Sequence, residues 1–117
     1  MPKFAANLSM LFTEEDFLDR FKAAADAGFK GVEYLFPYDY RPDQLRERLE
    51  ANGRTQVLHN MPAGDWGAGE RGIACHPERI GEFREGVDKA IEYARTLGCK
   101  QVNCLAGIQP QGVSQEQ

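Results

Sequence analysis

The segment from Val57 to Ala74 reads VLHNMPAGDWGAGERGIA. It opens as a short apolar strand, Val57-Leu58, that ends on His59 and Asn60, and it continues as a long loop. Asp65, Trp66, Glu70 and Arg71 are set among glycines in that loop, and a helix follows only near Pro77. A connection of this length without regular structure is uncommon in a compact domain unless it binds something or covers a site. Trp66 is the only tryptophan of the chain. Its ring either caps the edge of the core or stands in the wall of a small polar pocket.

Working outward from this loop, apolar strands and amphipathic helices alternate. Phe4 to Leu8 suits a first strand. Thr13 then opens a helix as its cap, with Glu14, Glu15 and Asp16 at the positive end of the dipole. Phe17, Leu18, Phe21, Ala24 and Ala25 form one helical face, and Gly28 ends the helix. Gly31 to Phe36 is the second strand. Pro42 opens a second helix that turns Leu45 and Leu49 inward and stops at Asn52-Gly53. Gln56 to His59 is the third strand. From Pro77, Ile80, Phe83, Val87, Ala90, Ile91, Ala94 and Leu97 share a stripe on a third helix, and Gln101 to Leu105 is the fourth strand. The order β-α-β-α-β-α-β calls for a parallel sheet. Both a doubly wound sheet and part of an eight-fold barrel satisfy it. No linker, repeat or low-complexity segment divides residues 1–117, so they read as one domain.

Strand alternation separates the two candidates. Asn7 shares a face with Ala5, Glu33 with Leu35, His59 with Val57, and Asn103 with Leu105. The other face holds Phe4, Val32, Tyr34, Leu58, Val102 and Cys104, suited to packing under helices. Each strand thus places one polar residue near its C-terminal end on the same kind of face. Both faces of a doubly wound sheet lie under helices and are apolar. Polar groups gathered at C-terminal strand ends suit the mouth of a barrel instead, where such enzymes hold their sites.

With 117 residues, 42% hydrophobic and 27% charged, and a net charge of −4, the composition is that of an ordinary globular domain. Mild acidity without a basic run leaves no footprint for nucleic acid. No apolar run approaches the ~18 residues of a membrane span, and the N-terminus lacks the apolar core of a signal peptide. These features place the chain in the cytosol. The cysteines, Cys75, Cys99 and Cys104, are odd in number and form no C-x-x-C, so they read as free thiols. Cys75-His76 lacks the paired, closely spaced partners of a zinc site.

Gly67-Ala-Gly69-Glu-Arg-Gly72 matches G-x-G-x-x-G. The dinucleotide mechanism needs those glycines in a tight turn between a strand and a helix. Here the strand ends well before them, and Cys75-His76-Pro77 intervenes before the helix. Ser9 and Ser114 have no G-x-S-x-G context. Glu33 and Glu70 are candidates for an acid and base pair in proton transfer, although Glu70 beside Arg71 also reads as a local ion pair. His59 at a strand end reads either as a base or as a hydrogen-bonded core histidine.

The stretches FAANLSMLF (4–12), GVEYLFPYDY (31–40), LHNMPAGDWGAGERGIA (58–74) and VNCLAG (102–107) resemble the hydroxypyruvate isomerase family. Its close relatives act on 2-oxotetronate, within the wider group of xylose-isomerase-like barrels. The resemblance implies the N-terminal half of a (β/α)8 TIM barrel and an isomerisation of hydroxypyruvate to tartronate semialdehyde. Such chemistry needs a base for the proton beside a carbonyl and stabilisation of the enediolate, usually by a divalent cation held on carboxylates. In the family, the catalytic glutamates and the metal ligands lie on later strands. No catalytic or metal-binding residue is therefore assigned here, and a cation such as Mg²⁺ or Mn²⁺ is expected in the full-length enzyme but not on this chain alone. The positions that carry over are pocket positions: Asn7, Glu33, His59, Trp66, Glu70 and Arg71.

A barrel takes about 250 residues, roughly twice this length. A four-stranded piece leaves two sheet edges and an apolar interior open, which invites self-association or pairing with the missing C-terminal half. The expected ligand is a small 2-oxo or hydroxy acid. A 2-oxotetronate isomerase and a non-catalytic half-barrel that binds a partner chain are the alternatives.

Overall fold

The computed structural model describes residues 2–114 and 116. Along it alternate β1 (Ala5–Asn7), α1 (Arg20–Asp26), β2 (Gly31–Glu33), α2 (Pro42–Asn52), β3 (Thr55–Asn60), α3 (Ile80–Leu97) and β4 (Val102–Asn103). The strand pairs are parallel, and the strands stand side by side in chain order, β1-β2-β3-β4. A doubly wound sheet reverses its order partway and carries helices on both faces. Here each strand adds to the same edge, and the three helices share one core. Phe21 and Ala24 of α1, Leu45 and Leu49 of α2, and Tyr93 and Leu97 of α3 are buried with Ala6, Leu8, Val32 and Tyr34. That is the arrangement of the first part of a (β/α)8 barrel.

Burying a side chain the size of Phe21 or Leu45 stabilises the fold by about 1.5–3 kcal/mol each. Surface ion pairs contribute under about 1 kcal/mol. The apolar cluster therefore holds the helices to the sheet. Among its aromatics, Phe17 meets Tyr34 edge-on at 5.3 Å and stacks on Tyr40 at 5.2 Å. Tyr93 ties α3 to the connection after β2 by donating its hydroxyl to Tyr40 O at 2.5 Å.

Local detail differs from the sequence expectation: β1, β2 and β4 are shorter than the stretches Phe4 to Leu8, Gly31 to Phe36 and Gln101 to Leu105, and Pro77–Arg79 is a 3-10 turn before α3. The first helix does not begin at Thr13. Residues 8–16 form turns, and the helix starts with a 3-10 turn at Phe17–Asp19 that runs into α1. Arg20 holds this connection by donating to Glu15 O at 2.9 Å and Leu8 O at 2.7 Å, and the delayed start lets Phe17 insert its ring beside Tyr34. Phe4 precedes β1 and is 70% exposed, so it packs under no helix. On α3 the buried stripe runs through Gly86, Ala90, Tyr93 and Leu97, whereas Ile80 and Ile91 face solvent. The second helix matches its signals: Pro42 occupies the first turn and Gly53, at φ 60°, ends it. The three cysteines are free thiols. Among the described residues, no helix is long and apolar enough to cross a membrane.

Candidate active-site rim

β3 carries the decisive irregularity. Gly31 pairs with Thr55 and Val32 with Gln56, but Glu33 pairs with Leu58. Val57 is thus an extra residue, a bulge that shifts every later side chain of the strand by one position. A Cβ built on Gly31 would lie 3.2 Å from Val57 Cγ1 and 3.5 Å from Ala5 Cβ, which places all three on the face away from the helices. Leu58 joins that face opposite Glu33. His59 then turns the other way, and Asn60 returns to the open face opposite Asn103.

Two polar pairs consequently sit at the C-terminal ends of the strands. Asn7 Nδ2 donates to Glu33 Oε1 at 3.4 Å across β1 and β2, while its Oδ1 accepts from Ser9 N at 3.0 Å. Asn103 Nδ2 donates to Asn60 Oδ1 at 3.1 Å across β3 and β4. The sequence expectation for Asn7 and Glu33 agrees with this placement. The expectation for His59 is overturned: its ring is fully buried under α3, with Nε2 3.4 Å from Ala90 O. Burial lowers its pKa from the ordinary 6.5, so it remains neutral at pH 7 and faces away from the hollow. Asn60 takes the position that simple alternation assigned to His59.

The loop after β3 closes on itself through Glu70 and Asp65. Glu70 Oε1 accepts from Asp65 N at 2.7 Å, and Asp65 Oδ1 accepts from Ala68 N at 3.1 Å. Arg79, in the turn before α3, clamps Glu70 with Nη1 and, at 3.1 Å, with Nη2. It also binds Glu82 through Nε and Nη2, each at 2.8 Å. The Arg79 guanidinium holds the Glu70 carboxyl down to about 2. Glu70 is therefore an ionised brace at neutral pH, paired with Arg79 and not with Arg71. The ion pair expected with the adjacent Arg71 is thus made with Arg79 instead, and a carboxyl held this low is a weak proton acceptor.

Trp66 begins a short 3-10 turn, Trp66–Ala68. Its ring lies 4.9 Å from that of Phe36, just past β2. With Tyr38 and Pro62 these rings line a cleft of ≈ 400 Å³. Arg71 lays its guanidinium over Trp66, 3.8 Å from the ring centroid. Gly72 pairs with Ala106 in an antiparallel bridge, which seats the far end of the loop on the segment after β4. The G-x-G-x-x-G string thus serves loop packing: a Cβ at Gly72 would lie 2.1 Å from Leu105 O. Phe36, Asn60 and Arg79 are the contributors that sequence reasoning left out. For Asn60 the signal was visible, since it directly follows His59, but the bulge was not.

The donor set does not by itself make a metal site. Glu33 is the carboxylate of the two rim pairs, and among the described residues no three His, Cys, Asp or Glu side chains gather where they could hold a metal ion. A hard divalent cation takes about six oxygen ligands. What the rim offers instead is one carboxylate acceptor and amide donors for hydroxyl and carbonyl groups.

Comparison with known proteins agrees with this geometry. The chain is 60% identical over 117 residues to the hydroxypyruvate isomerase of Escherichia coli, matching 100% of this chain and 45% of that protein. It is 56% identical over 112 residues to the 2-oxo-tetronate isomerase of Pectobacterium atrosepticum, covering 96% of this chain and 43% of the relative. The crystal structure of an AP endonuclease, family 2, from Brucella melitensis superposes with a TM-score of 0.94 at 51% identity, over 99% of this chain and 45% of that one. The chain thus spans under half the length of the relatives it matches. The sequence profile of the xylose isomerase-like TIM barrel family matches residues 21–117, and with the parallel, sequentially ordered sheet on the page, the chain belongs to that family.

Proposed function

We propose that this chain supplies one wall of the substrate site of a sugar-acid isomerase that converts hydroxypyruvate to tartronate semialdehyde. The observation that carries the proposal is the polar rim: Asn7 with Glu33 and Asn60 with Asn103, at the C-terminal ends of adjacent parallel strands. In a barrel this rim is where reacting groups are held. The identity to an isomerase of that name supports the choice of substrate.

The reaction moves a proton from C3 of hydroxypyruvate to C2, while the C3 hydroxyl becomes the aldehyde and the C2 carbonyl becomes a hydroxyl. Atoms and electrons balance within the substrate. The groups of this chain orient it: amide N–H donors meet the carbonyl oxygen, Glu33 accepts from a hydroxyl, and Phe36 and Trp66 keep water from the intermediate. A second reading, isomerisation of 2-oxo-tetronate, is favoured by relatives of that name at 50–56% identity. The two substrates differ by one hydroxylated carbon.

The test is a chimera in which residues 1–117 replace the matching stretch of the Escherichia coli hydroxypyruvate isomerase, assayed on both substrates with and without added Mg²⁺ or Mn²⁺. Retained turnover, with kcat/KM reduced about tenfold or more by Glu33→Gln, supports the proposal. A folded chimera that turns over neither substrate sinks it and leaves the non-catalytic half-barrel.

A further inference from the structure

Arg71 differs from the other arginines of the loop region in how its charge is disposed. Its Nη1 donates to two backbone carbonyls, Trp66 O at 3.1 Å and Glu70 O at 2.8 Å. Its guanidinium plane lies on the Trp66 ring. The neighbouring carboxylate, Glu70, is already engaged by Arg79 and by Asp65 N. Among the described residues Arg71 joins no ion pair, and its Nη2 and Nε have no protein acceptor. A long, flexible cation is thus held in one place with the edge that could form a fork left over.

Such a group has already lost most of the conformational freedom that binding an anion would otherwise cost. The unspent Nε and Nη2 edge matches a carboxylate, for which arginine gives short, charge-assisted bonds. The platform beneath it, Trp66, lines the cleft shared with Phe36, Tyr38 and Asp39 at the same end of the sheet.

The geometry points to Arg71 as the anchor for the carboxylate of a 2-oxo acid, the group common to hydroxypyruvate and 2-oxo-tetronate, with Trp66 as its stacking platform. This assignment rests on the isomerase reading for the choice of acid, but not for the recognition of a carboxylate. Because the carboxylate does not react, Arg71 acts as a binding and positioning residue.

Trp66, being the sole tryptophan, reports on the site directly. Its fluorescence is titrated in the purified protein with hydroxypyruvate and with dihydroxyacetone, which keeps the carbon skeleton and replaces the carboxylate by a neutral hydroxymethyl group. Hydroxypyruvate is expected to give a saturable change and dihydroxyacetone none. Arg71→Met should weaken the hydroxypyruvate response about tenfold or more, and Arg71→Lys, which keeps the charge and loses the fork, should fall between. An equal response to both compounds, an unchanged titration in Arg71→Met, or no saturable response overturns the assignment. If the carboxylate response depends on Arg71 while the chimera described above isomerises nothing, the anchor stands and the isomerase reading falls. An active chimera whose Arg71→Met variant keeps its KM for hydroxypyruvate overturns the anchor and leaves the isomerase reading standing.

Discussion

Replacing Gly72 by alanine separates two costs that the structure places on different glycines of one loop. Gly69 has φ 97° and open space where a Cβ would go, whereas Gly72 has φ 112° and a Cβ would lie 2.1 Å from Leu105 O and 2.5 Å from Leu105 C. Gly69→Ala therefore meets backbone strain alone, about 1–2 kcal/mol. Gly72→Ala meets similar strain plus a backbone clash that no rotamer change can relieve, worth about 1–3 kcal/mol more as overpacking. If the loop yields, Gly72 N→Ala63 O and Cys75 N→Ala106 O, both 2.9 Å, are lost with it, at about 0.5–1.5 kcal/mol each. Whether the clash is held or relieved at the expense of those hydrogen bonds, the cost of Gly72→Ala is about 2–5 kcal/mol. With a urea slope of about 1.5 kcal/mol per M, its midpoint falls by about 1.3–3.3 M, against about 0.7–1.3 M for Gly69→Ala. Urea unfolding followed by far-ultraviolet circular dichroism reads the sheet and helices, and Trp66 emission reads the loop. Equal midpoints for the two variants would refute the close-approach account of Gly72.

Three further outcomes follow from the same geometry. The Glu70 carboxyl, held at about 2 against an ordinary 4.5, contributes stability that is complete above about pH 4.5 and drains away as pH falls through about 2. Trp66 emission should change across that window in the native protein, and Glu70→Gln should abolish the change. His59, whose pKa is lowered by burial from 6.5, binds its proton more readily when unfolded. Stability should therefore fall as pH drops below 6.5, and His59→Phe should flatten that slope in denaturant titrations at pH 7 and pH 5. Expressed as residues 1–117 alone, the chain should self-associate through its unpaired β1 and β4 edges and show no turnover of hydroxypyruvate; native mass measurement and the coupled assay check this, and an active monomer would contradict it.

Much of the architecture is legible in the sequence because it rests on periodicity and composition. Pro42 and Gly53 bracket α2 as their conformational preferences require. The alternation of strands and helices limits the fold to two arrangements, and the polar strand ends favour the barrel. What stays hidden depends on contacts between distant residues. Thr13 has the chemistry of a cap, but the ring of Phe17 and the two carbonyls bound by Arg20 set the helix start later. Glu70 stands beside Arg71 in sequence, yet Arg79, nine positions on, reaches it with the better geometry. His59 was misplaced for a related reason. Period-2 alternation assumes that each residue of β3 meets one of β2, and the bulge at Val57 breaks that assumption between Val32 and Glu33.

The additional residue in β3 acts as a one-step gear between sequence and chemistry. Deleting Val57 would mesh the strand with its neighbour tooth for tooth and leave Leu58, His59 and Asn60 opposite their present partners, the imidazole still beneath α3 and the carboxamide still at the rim. A lineage could in this way gain or lose a codon within β3 while keeping the polar tips of the strand where they are.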